Sequence, residues 1–309
     1  MRPTSKALSN PLPLCLAILS ASALSASAQN FPDPLLYYDF DEDAGSIVAT
    51  DGSPNGFDGD VIGSVTFGVA GAPNGASPDG AAEFSVGGTG IISVTGLDVP
   101  TLLGNRDGGP GQDDLSYTMA CWILPDALSL SGDRFFFGQW TQGIHNGLRD
   151  NGRLHQAHWA NDHYGDTLLN SSDWVHATFT YDGVNNLGTI YRNGVMDSAP
   201  ASKDGPNGSG NFIVGARQGN VGGGTGQAHY SGLIDDVVIF QEVLSEDQIA
   251  ALAAGASPVD RLDTDEDEMT DEWEIANLGA GAELDDGTVN VNFGPAGDPD
   301  NDGSSNGQE

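Results

Sequence analysis

The sequence has 309 residues, of which 44 are Asp or Glu and 10 are Lys or Arg, so its formal net charge is −34. A surface this acidic repels nucleic acids and anionic lipids, which argues against both as partners. It is compatible with cations and with neutral glycans. The two cysteines, Cys15 and Cys121, are too few for the disulfide framework of a small exported domain.

The first 28 residues have the layout of a secretory signal peptide. Arg2 and Lys6 supply its positive charge, residues 12–24 are mostly apolar, and residues 26–28 (ASA) form a cleavage site. We therefore expect a secreted or cell-surface protein whose mature chain begins near Gln29 and contains one cysteine. The apolar stretch is too short for a membrane span, and no other stretch approaches the required length.

Residues 29–255 have the pattern of an all-β domain. Short β-type runs alternate with Gly-rich turns, which is typical of an antiparallel two-sheet jelly-roll sandwich. In residues 174–181 (WVHATFTY) apolar and polar side chains alternate with a period of two. The pair Asn193-Gly194 predicts a tight hairpin turn. The predicted strands are 35–40, 64–69, 81–86, 90–95, 115–124, 134–140, 153–159, 174–181, 187–192, 211–216 and 232–240.

One short helix is predicted after the last strand. Ser245 and Gln248 have the spacing of a capping box, and Gly255 is a suitable residue to end the helix. Residues 256–262 then form a linker to the C-terminal segment.

The last 47 residues, 263–309, contain fifteen acidic residues and no basic one. They hold two copies of the twelve-residue spacing of an EF-hand-type calcium loop, in which five positions supply side-chain oxygens and position 7 supplies a backbone carbonyl. Calcium is a hard cation that prefers such oxygen ligands. The predicted ligands are Asp263, Asp265, Asp267, Met269, Asp271 and Glu274 in the first loop, and Asp298, Asp300, Asp302, Ser304, Asn306 and Glu309 in the second.

Two interpretations of this acidic tail remain open. Most charge runs are solvated segments without a ligand. The doubled spacing favours calcium, as does Gly303, which stands at position 6 of the second loop, where the loop turns sharply. Glu268 occupies that position in the first loop and makes its turn less favourable. Because Glu309 is position 12 of the second loop, we expect the natural protein to continue into further C-terminal domains.

Four segments carry a family resemblance. Residues 173–198 (DWVHATFTYDGVNNLGTIYRNGVMDS) resemble the W-x-H-V-A-x-T-Y-D-G…Y-x-N-G core of laminin-G-like, concanavalin A-like lectin/glucanase jelly-roll domains. Residues 37–59, 212–219 and 230–252 resemble the opening and closing segments of that family. The acidic tail is similar to thrombospondin type 3 repeats. The resemblance implies two packed antiparallel sheets in a secreted bacterial protein.

The resemblance also implies a possible calcium site in the jelly roll, since members of the family often bind one calcium ion. Asp236, with Asp39 or Asp51, is the predicted ligand set. The alternative is that these acids cap turns. Asp235 and Asp236 lie in an otherwise apolar strand, and a buried acid there needs a partner.

The family includes binding modules, adhesion domains and glycan hydrolases, so the fold does not decide the function. Hydrolases of this superfold carry E-x-D-x-x-E on one strand, which places two glutamates together for acid–base work. Between Gln29 and Phe240 the only glutamates are Glu42 and Glu83, and neither lies in such a motif. We therefore expect no catalysis by this chain.

A ligand site is predicted in residues 153–166 (RLHQAHWANDHYGD) and on the strand before it. Aromatic faces stack on sugar rings and polar groups bind hydroxyls, although Trp is as often a core residue. We expect His155, His158 and His163 to lie on the surface or in a groove rather than to bind zinc, because His155 and His158 would face opposite sides of a strand. The predicted ligand-binding residues are Trp140, Trp159, Asn161, Asp162 and Tyr164.

Two functions follow from these patterns. The first is a secreted binding or adhesion module that recognises a glycan or an extracellular protein and is stiffened by calcium. The second is an accessory N-terminal part of a larger glycan-degrading enzyme.

Overall fold

The protein folds as a sandwich of two antiparallel sheets, which confirms the predicted all-β class. The computed structural model describes residues 31–76, 80–85, 87–98, 116–141, 143–149, 152–158, 161–206, 209–217 and 228–259. The segment predicted to be a signal peptide, the acidic tail with the two predicted calcium loops, and Trp159 lie outside the described residues, so the predictions made for them stay predictions. The same holds for the predicted domain boundaries.

Each sheet has eight strands in the described part of the chain. Sheet I has the order β14-β13-β12-β7-β16-β5-β4, with β1 also paired to β16, and sheet II has the order β11-β10-β9-β8-β15-β6-β3-β2. The strands of sheet I are β1 (Leu36–Tyr38), β4 (Val65–Val69), β5 (Ala81–Phe84), β7 (Tyr117–Pro125), β12 (Val175–Asp182), β13 (Leu187–Arg192), β14 (Val195–Ser202) and β16 (Gly232–Phe240). Those of sheet II are β2 (Val48–Ala49), β3 (Gly59–Ile62), β6 (Ile91–Asp98), β8 (Arg134–Thr141), β9 (Asn146–Arg149), β10 (Arg153–Gln156), β11 (His163–Leu168) and β15 (Ser209–Val214).

The main core lies between the inner faces of the two sheets. Phe136 of β8 packs against Phe179 of β12, with ring centroids 5.8 Å apart, and against Tyr230, at 5.9 Å. All three side chains are at most 1% exposed. Burying an aromatic ring removes a large apolar area from water, so this aromatic layer stabilises the contact between the sheets.

A second apolar cluster covers the outer face of sheet I. The helix α1 (Glu246–Leu252) places Ile249 and Leu252 against side chains that include Tyr37 and Phe240 of that sheet. The predicted capping box is present: the Ser245 side chain accepts a hydrogen bond from the Gln248 amide, and the Gln248 side chain accepts one from the Ser245 amide. This face of the sandwich is therefore occupied by the protein itself.

The predicted Asn-Gly turn and the irregular strand that follows it form one edge of sheet I. Asn193 (φ 51°) and Gly194 (φ 77°) both have positive φ values, as the tight hairpin between β13 and β14 requires. Strand β14 then pairs with β13 through two register shifts and contains Pro200. Asp197, on the same strand, accepts a 2.5 Å hydrogen bond from the Thr167 hydroxyl of β11, which joins the edges of the two sheets.

The two acids on β16 have the partners that burial requires. The Tyr37 hydroxyl donates to Asp236 Oδ1 at 2.8 Å, and the Ala76 amide donates to Asp236 Oδ2 at 2.6 Å. The Ala72 amide donates to Asp235 Oδ2 at 2.7 Å. Burial, together with the charge of Asp236, raises the pKa of Asp235 to about 8. The pair therefore anchors the segment of residues 72–76 to the centre of sheet I.

Five strands were not predicted: β2, β3, β9, β11 and β14. Four of them, β3, β9, β11 and β14, contain Gly, Asp or Pro, which weaken β-type patterns, and β2 is only two residues long. None of the helices in the described ranges has the length and apolar character needed to cross a bilayer.

Buried neutral histidines make the fold sensitive to acid. Burial lowers the pKa of His176, which is 2% exposed, to about 3. Because the folded pKa lies below the unfolded value of about 6.5, the stability is fully present above that value and is lost as the pH falls toward 3.

We therefore expect the His176→Gln variant to lose less stability on acidification than the unmodified protein. The difference in the free energy of unfolding between about pH 7 and pH 5 should shrink by about 2 kcal/mol. Denaturant unfolding at the two pH values measures it. An unchanged pH dependence would show that His176 is not held neutral by burial.

Candidate functional site

The outer face of sheet II carries a group of aromatic and ionisable side chains at β8 to β11. Leu148 of β9 and Leu154 of β10 lie opposite each other and point into the core. Side chains alternate along a strand, so their neighbours Gly147 and His155, which are also paired, point away from the core. The packing of the core thus determines which residues this outer face presents.

A row of rings crosses the four strands on this face. Cross-strand pairing aligns Phe135 with Gly147, Gly147 with His155, and His155 with Tyr164. The His155 ring lies 5.6 Å from the Phe135 ring and 5.2 Å from the Tyr164 ring, measured between centroids. The His145 ring completes the group at 5.4 Å from Phe135 and 5.6 Å from His155.

Gly147 makes this row possible. It lies between Phe135 and His155, and an added Cβ would overlap the Phe135 backbone and approach the Phe135 ring to 3.0 Å. The absence of a side chain on β9 lets two rings from β8 and β10 meet across the intervening strand.

The carboxylate of Asp162 contacts the buried His155 ring and is partly exposed to solvent. His155 Nε2 lies 2.9 Å from Asp162 Oδ1, and Arg149 Nη1 lies 3.0 Å from the same oxygen. One potential ligand atom from each of His145, His155 and Asp162 lies within 4.8 Å of the others. Among the described residues, this is the only such group of three histidine, cysteine or acidic side chains that could hold a metal ion. We call these six residues, Phe135, His145, Arg149, His155, Asp162 and Tyr164, the outer site.

The electrostatics of the outer site favour neutral imidazoles beside an ionised carboxylate. Burial, together with the neighbouring His155, lowers the pKa of His145 to about 4. Burial also lowers the pKa of His155, although Asp162 opposes the shift. The hydrogen bond from His155 and the charge of Arg149 lower the pKa of Asp162 to about 2, against the effect of its partial burial. At neutral pH, His155 therefore donates Nε2–H to an ionised Asp162.

Two cations fix the surroundings of Asp162. Arg149 divides its guanidinium between Asp162 and Asp133, the latter at 3.1 Å. Lys203 is 1% exposed, and its ammonium donates to the Gln156 carbonyl at 2.6 Å and to the Asn161 carbonyl. Burial lowers the pKa of Lys203 to about 7. These contacts hold the turn between β10 and β11 against the sheet.

Three of the predicted ligand-binding residues meet in or beside the outer site. Asp162 and Tyr164 belong to it, and Asn161 precedes them, with its side-chain amide donating to Asp204 Oδ2 at 3.1 Å. Trp140 lies on β8, but its side chain is not among those described. The Asp162 side chain is 37% exposed and that of Arg149 is 33% exposed, so a ligand can reach both, whereas Phe135 and His155 are fully buried.

The predicted jelly-roll calcium ligands do not form a group of this kind in the described part of the chain. Asp51 accepts hydrogen bonds from the amides of Tyr37, Ser53 and Phe57. Asp39 accepts one from its near neighbour in the opening turn. Asp236 is occupied by its partners on β1 and in the segment 72–76. These contacts are those of carboxylates that organise turns.

The expectation of surface histidines is wrong. His155 and His158 are fully buried and His163 is 8% exposed. His158 lies 2.6 Å from the Tyr117 hydroxyl on the inner side of the sandwich, opposite to His155, as the strand geometry predicted. Each ring has a polar partner on at least one nitrogen, namely Asp162 for His155, Tyr117 for His158 and Ser198 for His163, and the local pattern alone did not reveal these partners.

Sequence reasoning missed His145, Phe135 and Arg149 as site residues. His145 lies just before a four-residue strand that was not predicted, so no pattern placed it opposite His155. Phe135 was predicted to be in a strand but looked like one more core residue in the run FFF. The one available signal was Gly147, a glycine next to an apolar residue between two charged or aromatic segments.

A family model with the description "Concanavalin A-like lectin/glucanases superfamily" (the third laminin-G model) matches residues 103–250. The match includes β7 to β16 and every residue of the outer site. No curated protein sequence matches the chain.

Three solved structures are similar to the chain at low sequence identity, and the first has a TM-score that indicates a shared fold. Domain 4 of an extracellular GH43 arabinanase from Geobacillus stearothermophilus, solved with arabinotriose, is 18% identical, with a TM-score of 0.50; the match covers 72% of this chain and all of that domain. Trypanosoma rangeli sialidase is 14% identical over 72% of this chain and 32% of its own, with a TM-score of 0.48. The binding domain of botulinum neurotoxin serotype D/C is 13% identical over 73% and 52%, also with a TM-score of 0.48.

We expect Gly147→Ala to destabilise the protein by about 1–3 kcal/mol, because the new methyl group overlaps the Phe135 backbone in a packed region. Thermal or denaturant unfolding measures the effect. Gly132→Ala is the matched control, since the nearest atom beyond the two neighbouring residues, Arg134 Nη1, lies 3.7 Å from the added Cβ. If Gly147→Ala lowers the free energy of unfolding no more than Gly132→Ala does, the close approach of Phe135 to β9 is contradicted.

Proposed function

We propose that the chain is a secreted, non-catalytic module that binds a glycan through the exposed rim of the outer site. The observation that carries this proposal is the arrangement of Tyr164, Asp162 and Arg149 around a row of rings on the outer face of sheet II. An aromatic ring offers a surface for a sugar ring, while the carboxylate and guanidinium offer hydrogen bonds to hydroxyl groups. The buried rings beneath them hold this rim in place.

The position of the outer site supports the proposal. The outer face of sheet I is covered by α1, whereas the rim of the outer site remains accessible to a large ligand. The likeness of the fold to an arabinanase domain solved with arabinotriose is consistent with a carbohydrate ligand. It also favours the second candidate function, an accessory carbohydrate-binding part of a larger glycan-degrading enzyme.

Glycan binding is tested with the mature protein on an array of β-glucans, galactans, arabinans and host glycans, followed by calorimetry with the best oligosaccharide. Tyr164→Ala should weaken binding by about 5- to 150-fold, because a stacked ring contributes about 1–3 kcal/mol by analogy with base stacking. Val195→Ala, on an exposed position of the opposite sheet, is the control and should leave binding unchanged.

The same samples decide between binding and catalysis. No reducing ends should be released from any glycan that is retained. Release that disappears on replacing one acid would overturn the non-catalytic part of the proposal. Equal binding by the Tyr164→Ala variant would remove the outer site as the glycan site, and retention of an extracellular protein instead of any glycan would change the class of partner.

We also propose that the acidic tail binds calcium through its two twelve-residue loops and is stiffened by the bound ions. The doubled spacing of carboxylates supports this, with an affinity near the 10⁻⁴–10⁻³ M that is typical of extracellular modules.

Calorimetric titration with calcium tests the tail. The double variant Asp263→Ala/Asp298→Ala removes position 1 of both loops and should abolish most of the heat. The control, Asp285→Ala/Asp286→Ala, removes the same charge between the loops and should bind calcium like the unmodified protein. Equal heats from the two double variants would mean that calcium is attracted only by the charge of the tail.

A further inference from the structure

We infer that His145, His155 and Asp162 form a site for a borderline divalent metal ion, with Zn²⁺ as the ion that fits the three side chains best. The three residues come from separate positions on sheet II: the segment before β9, strand β10 and the turn before β11. One ligand atom from each lies within 4.8 Å of the others. This inference joins two buried histidines to Asp162, which also belongs to the rim of the outer site. Its test measures metal and does not depend on glycan binding.

The chemistry of the three side chains selects the class of metal. Two imidazole nitrogens and one carboxylate oxygen are typical ligands of zinc, and a site with three protein ligands leaves a fourth position open. Calcium is disfavoured, because it takes six to eight oxygens and this group supplies one carboxylate. The outer site and the acidic tail are therefore predicted to bind different metals.

The hydrogen bonds around His145 prepare it as a ligand. Its Nδ1 lies 3.2 Å from the Gly143 carbonyl oxygen, which can only accept, so Nδ1 carries the proton and Nε2 has a free lone pair. Histidines that bind metals commonly donate their other N–H to a backbone carbonyl in this way. Arg149 Nη1 donates a hydrogen bond to Asp162 Oδ1 at 3.0 Å and thereby orients the carboxylate.

The nitrogen of His155 that faces the other two ligands is Nε2, which lies 2.9 Å from Asp162 Oδ1. A metal bound to Nε2 displaces the proton that His155 donates to Asp162, and the neutral ring then carries its proton on Nδ1. Nδ1 has no hydrogen-bond partner, so the metal bonds must offset that cost. The ring is fully buried and is therefore held in place before a metal binds.

The geometry requires a small contraction. Zinc bonds of about 2.0–2.1 Å place tetrahedral ligand atoms about 3.3 Å apart, and Asp162 Oδ1 already lies 2.9 Å from His155 Nε2. Rotation of the side chains would have to bring the remaining ligand atoms together.

The positive charge of Arg149 disfavours a nearby cation, but Asp133 Oδ2, which lies 3.1 Å from Arg149 Nε, partly offsets that charge. A bound ion would fasten the turn that carries Asn161 to the sheet.

The test uses the mature protein after treatment with a chelator and dialysis, in millimolar calcium so that oxygen-rich sites in the tail are occupied. Zinc is titrated against a chromophoric chelator, and bound metal is counted by elemental analysis. We expect one tight zinc equivalent and a higher melting temperature with zinc. His155→Gln and Asp162→Asn should each lose that equivalent, with affinity reduced by more than the 10–100-fold that follows removal of an outer-shell partner.

His229→Gln is the matched control, because His229 lies outside the group and contacts the Gly90 carbonyl oxygen; it should bind zinc like the unmodified protein. Zinc stoichiometry unchanged in both site variants would overturn the inference. If a site variant fails to fold, the absorption spectrum of the cobalt-substituted unmodified protein decides: an intense tetrahedral spectrum supports the site, and a weak octahedral spectrum or no binding overturns it.

Discussion

The outer site depends on the alternation of side chains imposed by the core. Leu148 and Leu154 must lie between the sheets to bury their apolar surface, and this forces their neighbours Gly147, Arg149 and His155 to the other side of sheet II. Once the core is packed, these site residues can lie only on the outer face of sheet II. A shift of one residue in the register of β10 would move His155 into the core and expose Leu154, which costs both the hydrophobic contact and the site.

The fold was more predictable than the site. Strands such as 187–192 and 232–240 were placed correctly because they contain nearly continuous runs of residues that are buried in the sandwich, including β-branched and aromatic ones. Strands β9 and β11 escaped detection because their stability comes from pairing with neighbours rather than from their own composition. Asp162 and Tyr164 were recognised by residue type, whereas His145 required knowledge of which short strand lies beside which. Tertiary pairing, not local propensity, brings it to His155.

The outer faces of the two sheets differ in what covers them and in which polar side chains they carry. On sheet I, α1 and its apolar cluster cover the sheet, and the buried acids Asp235 and Asp236 use their oxygens to hold loops. On sheet II, two buried imidazoles lie beside Asp162, whose carboxylate belongs to the accessible rim. Buried acids and histidines occur on both sides, and Asp162 combines a lowered pKa with partial exposure to solvent. Burial alone therefore does not mark a functional residue; the direction in which its remaining ligand atoms point does.

Strand β14 has a consequence for behaviour at high concentration. It is the last strand of its sheet in the described part of the chain, and an unpaired strand offers its backbone to another chain, which is how sheets grow into aggregates. Pro200 has no N–H to donate, the pairing of β14 is irregular, and Asp197 turns its charge toward the neighbouring sheet. These features make this edge a poor template for a further strand. Growth of the sheet by addition of a second chain is therefore disfavoured at this edge, even where the protein is concentrated.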